Sequence, residues 1–425
     1  MITIDEKIKT SKQKLGEKIP CSIEVLTPVH IGSGVKLAEG IDFIKTDYSV
    51  HILSQAELMK YLEDNPDEME RFIDGKYKLN NLQRIPEGRK FNVNTKGLRE
   101  ILEFVRNGNG KPYIPGSSIK GAMRTILLKK RFDELSESQK NDLLKKVSNT
   151  KKEWAANPIV EYLLGKSSNE NLMRTLEIFD SDFENVELEK IFILTLRNQN
   201  GSSYGWKKMG RDVPSQDDPK NATPIFAETL PTGSIGYFSI SLNTFLMEDT
   251  SAQSTLHFNE QALKDIQNLR IAINGFSVKK LEKEKEFYEK LTSPKKLNSV
   301  LKEIDNLLSK INNLNKDEFI LRISWGSGWK GMTGDYLDEE WINIFRNKYG
   351  RGQAMGRPGF TIFPKTRRLV FEDDEPKYLT GWIKVSLNKS VGTDKNQNGN
   401  ISLGNSKDPM ETLKQKFKVT ETKKK

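Results

Sequence analysis

The sequence predicts an α+β protein built in two unequal halves. Two observations lead there. Short runs rich in Ile, Val and Leu recur along the 425 residues, bounded by Gly, Pro and Asn, as strands are. Between them lie longer stretches with helical spacing of apolar residues, so the two element types are interleaved rather than segregated.

Residues 19–26 and 41–53 read as strands flanking a Gly-containing turn at 32–34. Helical patterns follow at 54–73 and 95–107, separated by an irregular 75–94 that holds Gly75, Pro86 and Gly88. Pro115-Gly116 then punctuates the chain, and Ser117 or Ser118 is placed to cap a helix running from 119 to about 132. Its apolar face is Ile119, Met123, Ile126 and Leu127, and Lys120 and Arg124 share the opposite face. Polar helices are expected at about 136–147 and 157–164, then a strand pair at 174–180 and 189–197. A polar insertion spans 197–224, with Gly201, Gly205, Gly210 and Pro214; loops of that length are commonly functional or disordered. Strand character returns at 225–229 and 235–243.

The second half opens with 258–318, charged and helical around Leu281, Phe287, Leu291 and Leu301, which reads as one helix or a helical pair. A strand at 319–325 leads into a Gly-rich loop at 326–334, a helix follows at 335–348, and strands at 367–372 and 380–387 close the ordered part. From Asn388 the chain is rich in Asn, Lys, Ser and Gly and reads as a mostly mobile tail. The expected organisation is 1–250, 251–387 and 388–425.

Lys and Arg exceed Asp and Glu by 68 to 58, a formal charge of +10 that favours a polyanionic partner. The single Cys21 excludes an intrachain disulfide framework and any multi-cysteine zinc site. Three histidines, His30, His51 and His257, do not make a His-rich metal site, so neither metal nor cofactor is expected. No apolar run approaches the roughly 18 residues of a membrane span. Residues 1–17 lack the apolar centre of a signal peptide, and a cytoplasmic location is expected.

Three segments carry candidate chemistry. The N-terminus of the helix after Pro115 exposes backbone donors and a positive dipole end, which with Lys120 and Arg124 suits a phosphate; an ordinary capped amphipathic helix has the same sequence. In the insertion, Arg197, Lys207, Lys208 and Arg211 surround Tyr204 and Trp206, which suits backbone contact plus base stacking. The third is Gly326-Ser327-Gly328-Trp329-Lys330-Gly331. It satisfies G-x-G-x-x-G, but a dinucleotide site needs an acidic residue at a strand end about 20 residues on, where 347–356 offers three Gly and no strand pattern. As a P-loop it has Met332 where the phosphate-binding Lys belongs. The remaining reading is a nest of backbone N–H groups facing RNA phosphates, with Lys330 adding charge, Trp329 exposed between glycines and Trp325 in the core.

Residues 114–124, Ile-Pro-Gly-Ser-Ser-Ile-Lys-Gly-Ala-Met-Arg, resemble the signature of the RAMP superfamily of CRISPR-Cas RNA-binding proteins. Two more segments resemble it: 26–34, Leu-Thr-Pro-Val-His-Ile-Gly-Ser-Gly, and the Gly-rich loop. With Gly356-Arg357-Pro358-Gly359-Phe360, their order is most similar to the fifth Csm subunit of type III-A effector complexes, over roughly 19–385. The resemblance implies a ferredoxin-like (RRM-like) core with helical and loop insertions in the first part and a divergent RAMP-like second part. It implies a crRNA-binding subunit at the 3′ part of the guide, supporting maturation and antiviral defence. The expected partners are the crRNA and other Csm subunits, especially the neighbouring backbone RAMP subunit. Candidate RNA contacts are His30, Gly32, Ser33 and Gly34; Ser117, Ser118, Lys120 and Arg124; Arg197, Lys207, Lys208 and Arg211; and Gly326 to Gly331.

An enzymatic alternative is a RAMP-type endoribonuclease that processes precursor crRNA with His30 as general base. No second His pairs with it from sequence. Asp42, Asp47 and Asp180 match no catalytic motif, and Asp180-Ser181-Asp182 reads as a turn or helix cap. No catalytic residue is assigned, and a binding protein is expected.

Overall fold

The computed structural model describes residues 18–74, 88–198, 200–210, 213–292, 297–323, 325–326, 328–329, 335–349 and 362–388. Within them, apolar strands pair across long sequence separations, and the register of those pairs sets the fold. In chain order the strands are β1 (Lys18–Val25), β2 (Gly32–Ala38), β3 (Phe43–Lys45), β4 (Ser49–Leu53), β5 (Gly88–Asn92), β6 (Glu100–Phe104), β7 (Tyr113–Ile114), β8 (Leu176–Ile178) and β9 (Ser181–Asp182). There follow β10 (Glu187–Leu196), β11 (Tyr204–Trp206), β12 (Ile225–Thr229), β13 (Ile235–Leu242), β14 (Glu318–Arg322), β15 (Thr366–Glu372), β16 (Glu375–Tyr378) and β17 (Trp382–Leu387). The helices that bear on function are α1 (Gln55–Glu63), α2 (Pro66–Ile73), α3 (Gly116–Asp133), α4 (Glu137–Ser148), α5 (Asn157–Leu164), α6 (Glu260–Gln267), α7 (Leu269–Glu289), α8 (Asn298–Asn312) and α9 (Glu339–Tyr349).

The first sheet runs β14-β17-β1-β13-β9-β7, with β8 also on β13. At its centre β1 alternates: Cys21, Ile23 and Val25 are buried, while Ser22 and Glu24 are not. Ile23 faces Gly236 of β13 on one side and Val385 of β17 on the other, both antiparallel. Helix α3 lays Ile119, Met123, Ile126 and Leu127 into the same core.

The second sheet runs β16-β15-β10-β12-β6-β2, with β11 on the outer end of β10. One of its faces buries Phe192, Leu194, Trp206, Leu369 and Phe371 against Leu281, Val300, Ile304 and Leu307 of α7 and α8. Helix α7 buries Leu269, Ile273, Ser277, Leu281, Glu284 and Tyr288, positions three or four apart, so a single stripe reaches both cores. A third, small sheet, β3-β4-β5, packs on α1 and α2: Ile44 and Leu53 meet Leu58 and Leu62 of α1, with Met69 and Phe72 of α2 beside them.

Several expectations change. The helix expected over 54–73 is two, because Pro66 starts a new one after Asn65. The helix expected at 95–107 is the strand β6: Ile101 and Leu102 pair with Phe226 and Ala227 of β12, and that pairing overrides the local pattern. The 258–318 segment holds three helices, α6, α7 and α8. Strand β16 went unforeseen; Asp373 and Asp374, both at positive φ, make the tight turn that folds it back on β15. Both sheets take strands from either side of residue 250, β17 beside β1 and β15 beside β10, so the expected division at 250 does not separate sheets. Apart from Asn388, the expected tail lies outside the described residues. Among the described residues no helix is long and apolar enough to cross a membrane.

Neither Ser117 nor Ser118 caps α3. The helix begins at Gly116, and the Gly116 N–H donates to the Asp180 Oδ1 at 2.8 Å. Gly116 lies so close to β8 that a Cβ there would run into the Ile178 carbonyl oxygen. Gly116→Ala is therefore expected to cost roughly 2–4 kcal/mol of unfolding free energy, because backbone rather than a movable side chain must yield. Urea unfolding of the variant measures it.

Candidate nucleic-acid interface

His30 is the first candidate residue in the chain. It lies between β1 and β2, with its ring 3% exposed. The ring Nδ1 donates to the Glu228 carbonyl oxygen at 2.7 Å, since a carbonyl can only accept. Burial lowers the His30 pKa, against the pull of the Glu228 carbonyl and charge. The ring meets Phe104 and Trp325 edge-on at 6.2 and 5.5 Å. His30 thus positions its neighbours and is not the surface RNA contact expected of it. Gly32 is small because a Cβ there would sit 3.2 Å from the His30 Nε2. Ser33 donates to the Glu103 Oε2 at 3.1 Å and accepts from the Val35 N–H, and Gly34 takes φ 91. Gly32, Ser33 and Gly34 are exposed on the edge strand β2.

Under this turn sits a fully buried carboxylate, Glu228 of β12. Its Oε1 accepts from Arg89 Nε at 2.8 Å, and its Oε2 from the Phe104 N–H at 3.0 Å and Arg106 Nη2 at 3.2 Å. The two guanidiniums and the backbone donor satisfy the charge, which is what a buried carboxylate needs.

The Gly-rich loop is held at both ends. At its start the Trp325 N–H donates to the His30 carbonyl at 3.1 Å. The Arg368 guanidinium lies over the Trp325 indole, 4.6 Å from its centre. Gly326 takes φ 99 against Thr380, and Gly328 takes φ 71, so both glycines are needed for backbone reasons. Trp329 is half-buried and packs edge-on to Phe363 at 5.2 Å. Just past the loop, Asp335 pairs with Lys280 of α7 at 2.7 Å. Ser327, Lys330 and Gly331 lie outside the described residues, as does Arg211.

The start of α3 differs from the phosphate site expected. Asp180 already occupies its first N–H, so the positive end is partly neutralised from within the protein. Lys120 and Arg124 do share a partly exposed face, and neither has a hydrogen-bonded or ion-paired partner among the described residues. Burial lowers the Lys120 pKa, and Glu177 opposes that. Ser117 is exposed and Ser118 half-buried.

In the insertion the interleaved aromatics are core. Trp206 is buried against Phe192 and Phe371, and Tyr204 packs edge-on to Trp206. Arg197 is spent internally: its Nε donates to Ser215 Oγ at 2.8 Å and its Nη1 pairs with Asp217. Lys207 and Lys208 remain exposed and unpaired among the described residues. The expected base-stacking aromatics are corrected accordingly: β11 pairs with β10, which turns Trp206 inward.

The structure brings His30, Gly32–Gly34 and the Gly-rich loop together, and it puts Lys207 on the sheet that carries Trp325. Sequence reasoning missed Glu228, Arg89, Arg106 and Arg368, whose roles come from strand pairing with no local motif. Among the described residues no group of three His, Cys, Asp or Glu side chains is placed to hold a metal ion.

A mixed α+β body that builds these segments on largely antiparallel sheets under helices is the architecture expected of a RAMP protein. The RAMP superfamily matches residues 22–330, and the chain belongs to that superfamily, with its ferredoxin-like α+β fold. The CRISPR system Cms protein Csm5 of Methanocaldococcus jannaschii is 25% identical over 408 residues, which cover 86% of this chain and 88% of that protein. Csm5 of Streptococcus thermophilus is 46% identical over 52 residues, 12% of this chain and 15% of that protein. Among solved structures, a chain in the cryo-EM structure of a Csm-crRNA-target RNA ternary complex of a type III-A system aligns with a TM-score of 0.62 at 21% identity. The alignment covers 87% of this chain and all of that one. The crystal structure of T. onnurineus Csm5 aligns with a TM-score of 0.52 at 18% identity over 85% of this chain and 99% of that one. These structural likenesses are likenesses of fold.

Two outcomes follow from this geometry. Glu228→Ala strands Arg89 and Arg106 beside an apolar hole, and it is expected to cost about 3–5 kcal/mol in a denaturant titration. A cost under about 1 kcal/mol there would show that the two arginines find other partners. Glu189, on β10, has its carboxyl pushed up to about 7 by burial, with the Glu187 charge adding and Lys377 opposing. A raised carboxyl pKa means the native state binds the extra proton, so stability falls as pH rises from about 4.5 through 7. Glu189→Gln should remove that fall: no gain over the parent at about pH 4, and a gain of roughly 1–3 kcal/mol at about pH 8. Thermal melts across pH read the difference.

Proposed function

We propose that this chain is a crRNA-binding subunit of a type III-A Csm effector complex. It caps the 3′ part of the guide, contacts the neighbouring backbone RAMP subunit, and supports crRNA maturation and antiviral defence. The observation that carries the reading is end-to-end likeness: the Methanocaldococcus relative named Csm5 aligns over nearly all of its own length, and the RAMP match spans both loop motifs up to Lys330. The solved relative of similar fold sits in a complex with crRNA and target RNA. The +10 charge supports a polyanionic partner.

The contacts proposed for RNA are the exposed Gly32–Gly34 turn, the Lys120 and Arg124 face, Lys207 and Lys208, and the Gly-rich loop. The protein acts by binding, without a catalytic residue of its own. A general base must reach the proton it removes. His30 is buried and its Nδ1 is engaged by the Glu228 carbonyl, which speaks against the endoribonuclease alternative.

Binding to single-stranded RNA should be dominated by phosphate contacts, with affinity falling steeply between low and moderate salt. Lys120→Ala with Arg124→Ala should weaken retention of RNA and lower the salt slope by about 2, one per lost contact, at unchanged thermal stability. The full chain should co-purify with a set of 3′-trimmed RNAs in a multi-subunit assembly. His30→Ala in the same cells tests the alternative. Unprocessed precursor RNA, with the variant still folded, would move the assignment to an endoribonuclease; unchanged RNA lengths keep the binding role.

A further inference from the structure

Among the described residues, Arg368 is a partly buried cation that folding leaves without a counter-charge. It lies on β15 directly opposite Ile193 of β10. Its neighbour Arg367 points to the other face and binds Glu284 through two contacts, 2.9 and 2.8 Å from Nε. Among the described residues Arg368 meets no carboxylate, and its buried Nε has no hydrogen-bond partner. Its contact is the cation–π one with Trp325, 4.6 Å from the ring centre. A desolvated guanidinium without an acceptor is costly to keep, and native proteins rarely leave one so. A guanidinium held against an indole keeps the planar set of N–H donors that can grip phosphate through two parallel bonds.

A second cation stands on the same row. Lys207 follows Trp206 on β11 and donates its N–H to the Ile193 carbonyl at 2.8 Å. Residues opposite one another in paired strands share a face, so Lys207, Ile193 and Arg368 line up across the sheet. Strand spacing puts the two backbones about 10 Å apart, a gap that two long cationic side chains bridge. Trp325 packs on this face too, with Ile191, Ala227 and Val370.

We propose that Arg368, laid on Trp325 and joined across the sheet by Lys207, is a phosphate-binding row for single-stranded RNA, placed beside the start of the Gly-rich loop. The row deepens the RNA-binding reading above and rests on it. It supplies a contact outside the three motifs, built by strand register on the face opposite the α7–α8 cover.

The test uses the full-length protein and a fluorescein-labelled oligouridine, titrated by anisotropy at several salt concentrations, with a thermal melt of every variant. Arg368→Ala should raise Kd roughly tenfold or more, the loss typical of a charge-assisted pair, and lower the salt slope by about 1. Arg368→Lys should keep the slope and recover only part of the affinity, because an ammonium neither stacks flat nor binds in two-point fashion. Lys207→Ala should lower the slope by about 1 as well. Lys145→Ala, on α4 and paired with Asp142, is the control and should change nothing. Because Arg368 has no ion-paired or hydrogen-bonded partner to lose among the described residues, only its contact with Trp325, its variants should melt close to the parent temperature. Parental Kd and slope in Arg368→Ala and Lys207→Ala overturn the row while leaving the RNA-binding reading standing. A parent that shows no salt-dependent binding overturns both. A lowered melting temperature with parental Kd assigns Arg368 to packing and also overturns the row.

Discussion

The buried Glu228 carboxylate is the constraint on which the N-terminal part of the site depends. Through its side chain and its carbonyl it reaches Arg89 of β5, Arg106 after β6, the Phe104 N–H and the His30 ring. Those groups belong to three separate stretches of the chain. A fully buried carboxylate must have its donors supplied by the protein, so its position constrains theirs. His30 then carries the order outward: its ring supports Trp325 and lies 3.2 Å from where a Cβ at residue 32 would stand. The sequence run 26–34 is therefore a framework for two loops, and its histidine is a spacer inside that framework.

A second charged knot performs the same task between the two sheets. On α7, Glu284 is gripped by Arg367 of β15, and Arg322 of β14 donates to the Thr380 carbonyl at 2.7 Å. Burial works to raise the Glu284 pKa, but Arg367 and Arg322 beside it hold the carboxyl below its usual range. One helical turn away, Lys280 ties α7 to Asp335 past the Gly-rich loop. One helix face thus couples the first sheet, the second sheet and the far end of that loop. Removing a single member of such a set leaves an uncompensated charge, which costs far more than the intact set contributes.

Much of the fold was legible because apolar runs and breakers are local. The strands at 225–229 and 235–243 and the helix after Pro115 stand where the sequence puts them, whereas Gly32–Gly34, expected as a turn, open the edge strand β2. The failures share a cause. Residues 100–104 are a strand because β12 and β2 lie beside them, and Trp206 is core because β11 turns it toward Phe371. Ser117 is not a cap because Asp180, brought in by β9 next door, holds the first helical N–H instead. None of these partners is a sequence neighbour. Of the candidate site, the loops could be read and their supports could not, since Glu228 resembles any acidic residue until its two arginines arrive from over 120 positions away.

The same distinction governs how the positive charge is used. Arg89, Arg106, Arg197, Arg322 and Arg367 all bond to groups within the protein, and Lys130 and Arg131 share the buried Asp265. Their charge is cancelled or turned inward, and it contributes little at the surface. Lys120, Arg124, Lys207, Lys208 and Arg368 have no such partners among the described residues. A surplus of +10 is consequently a poor map of where a polyanion lies, because basic residues of both kinds count equally in it. Pairing separates them. A cation already satisfied by the fold gains little from a phosphate, while one left desolvated and unpaired gains both the hydrogen bonds and the counter-charge that the protein withholds.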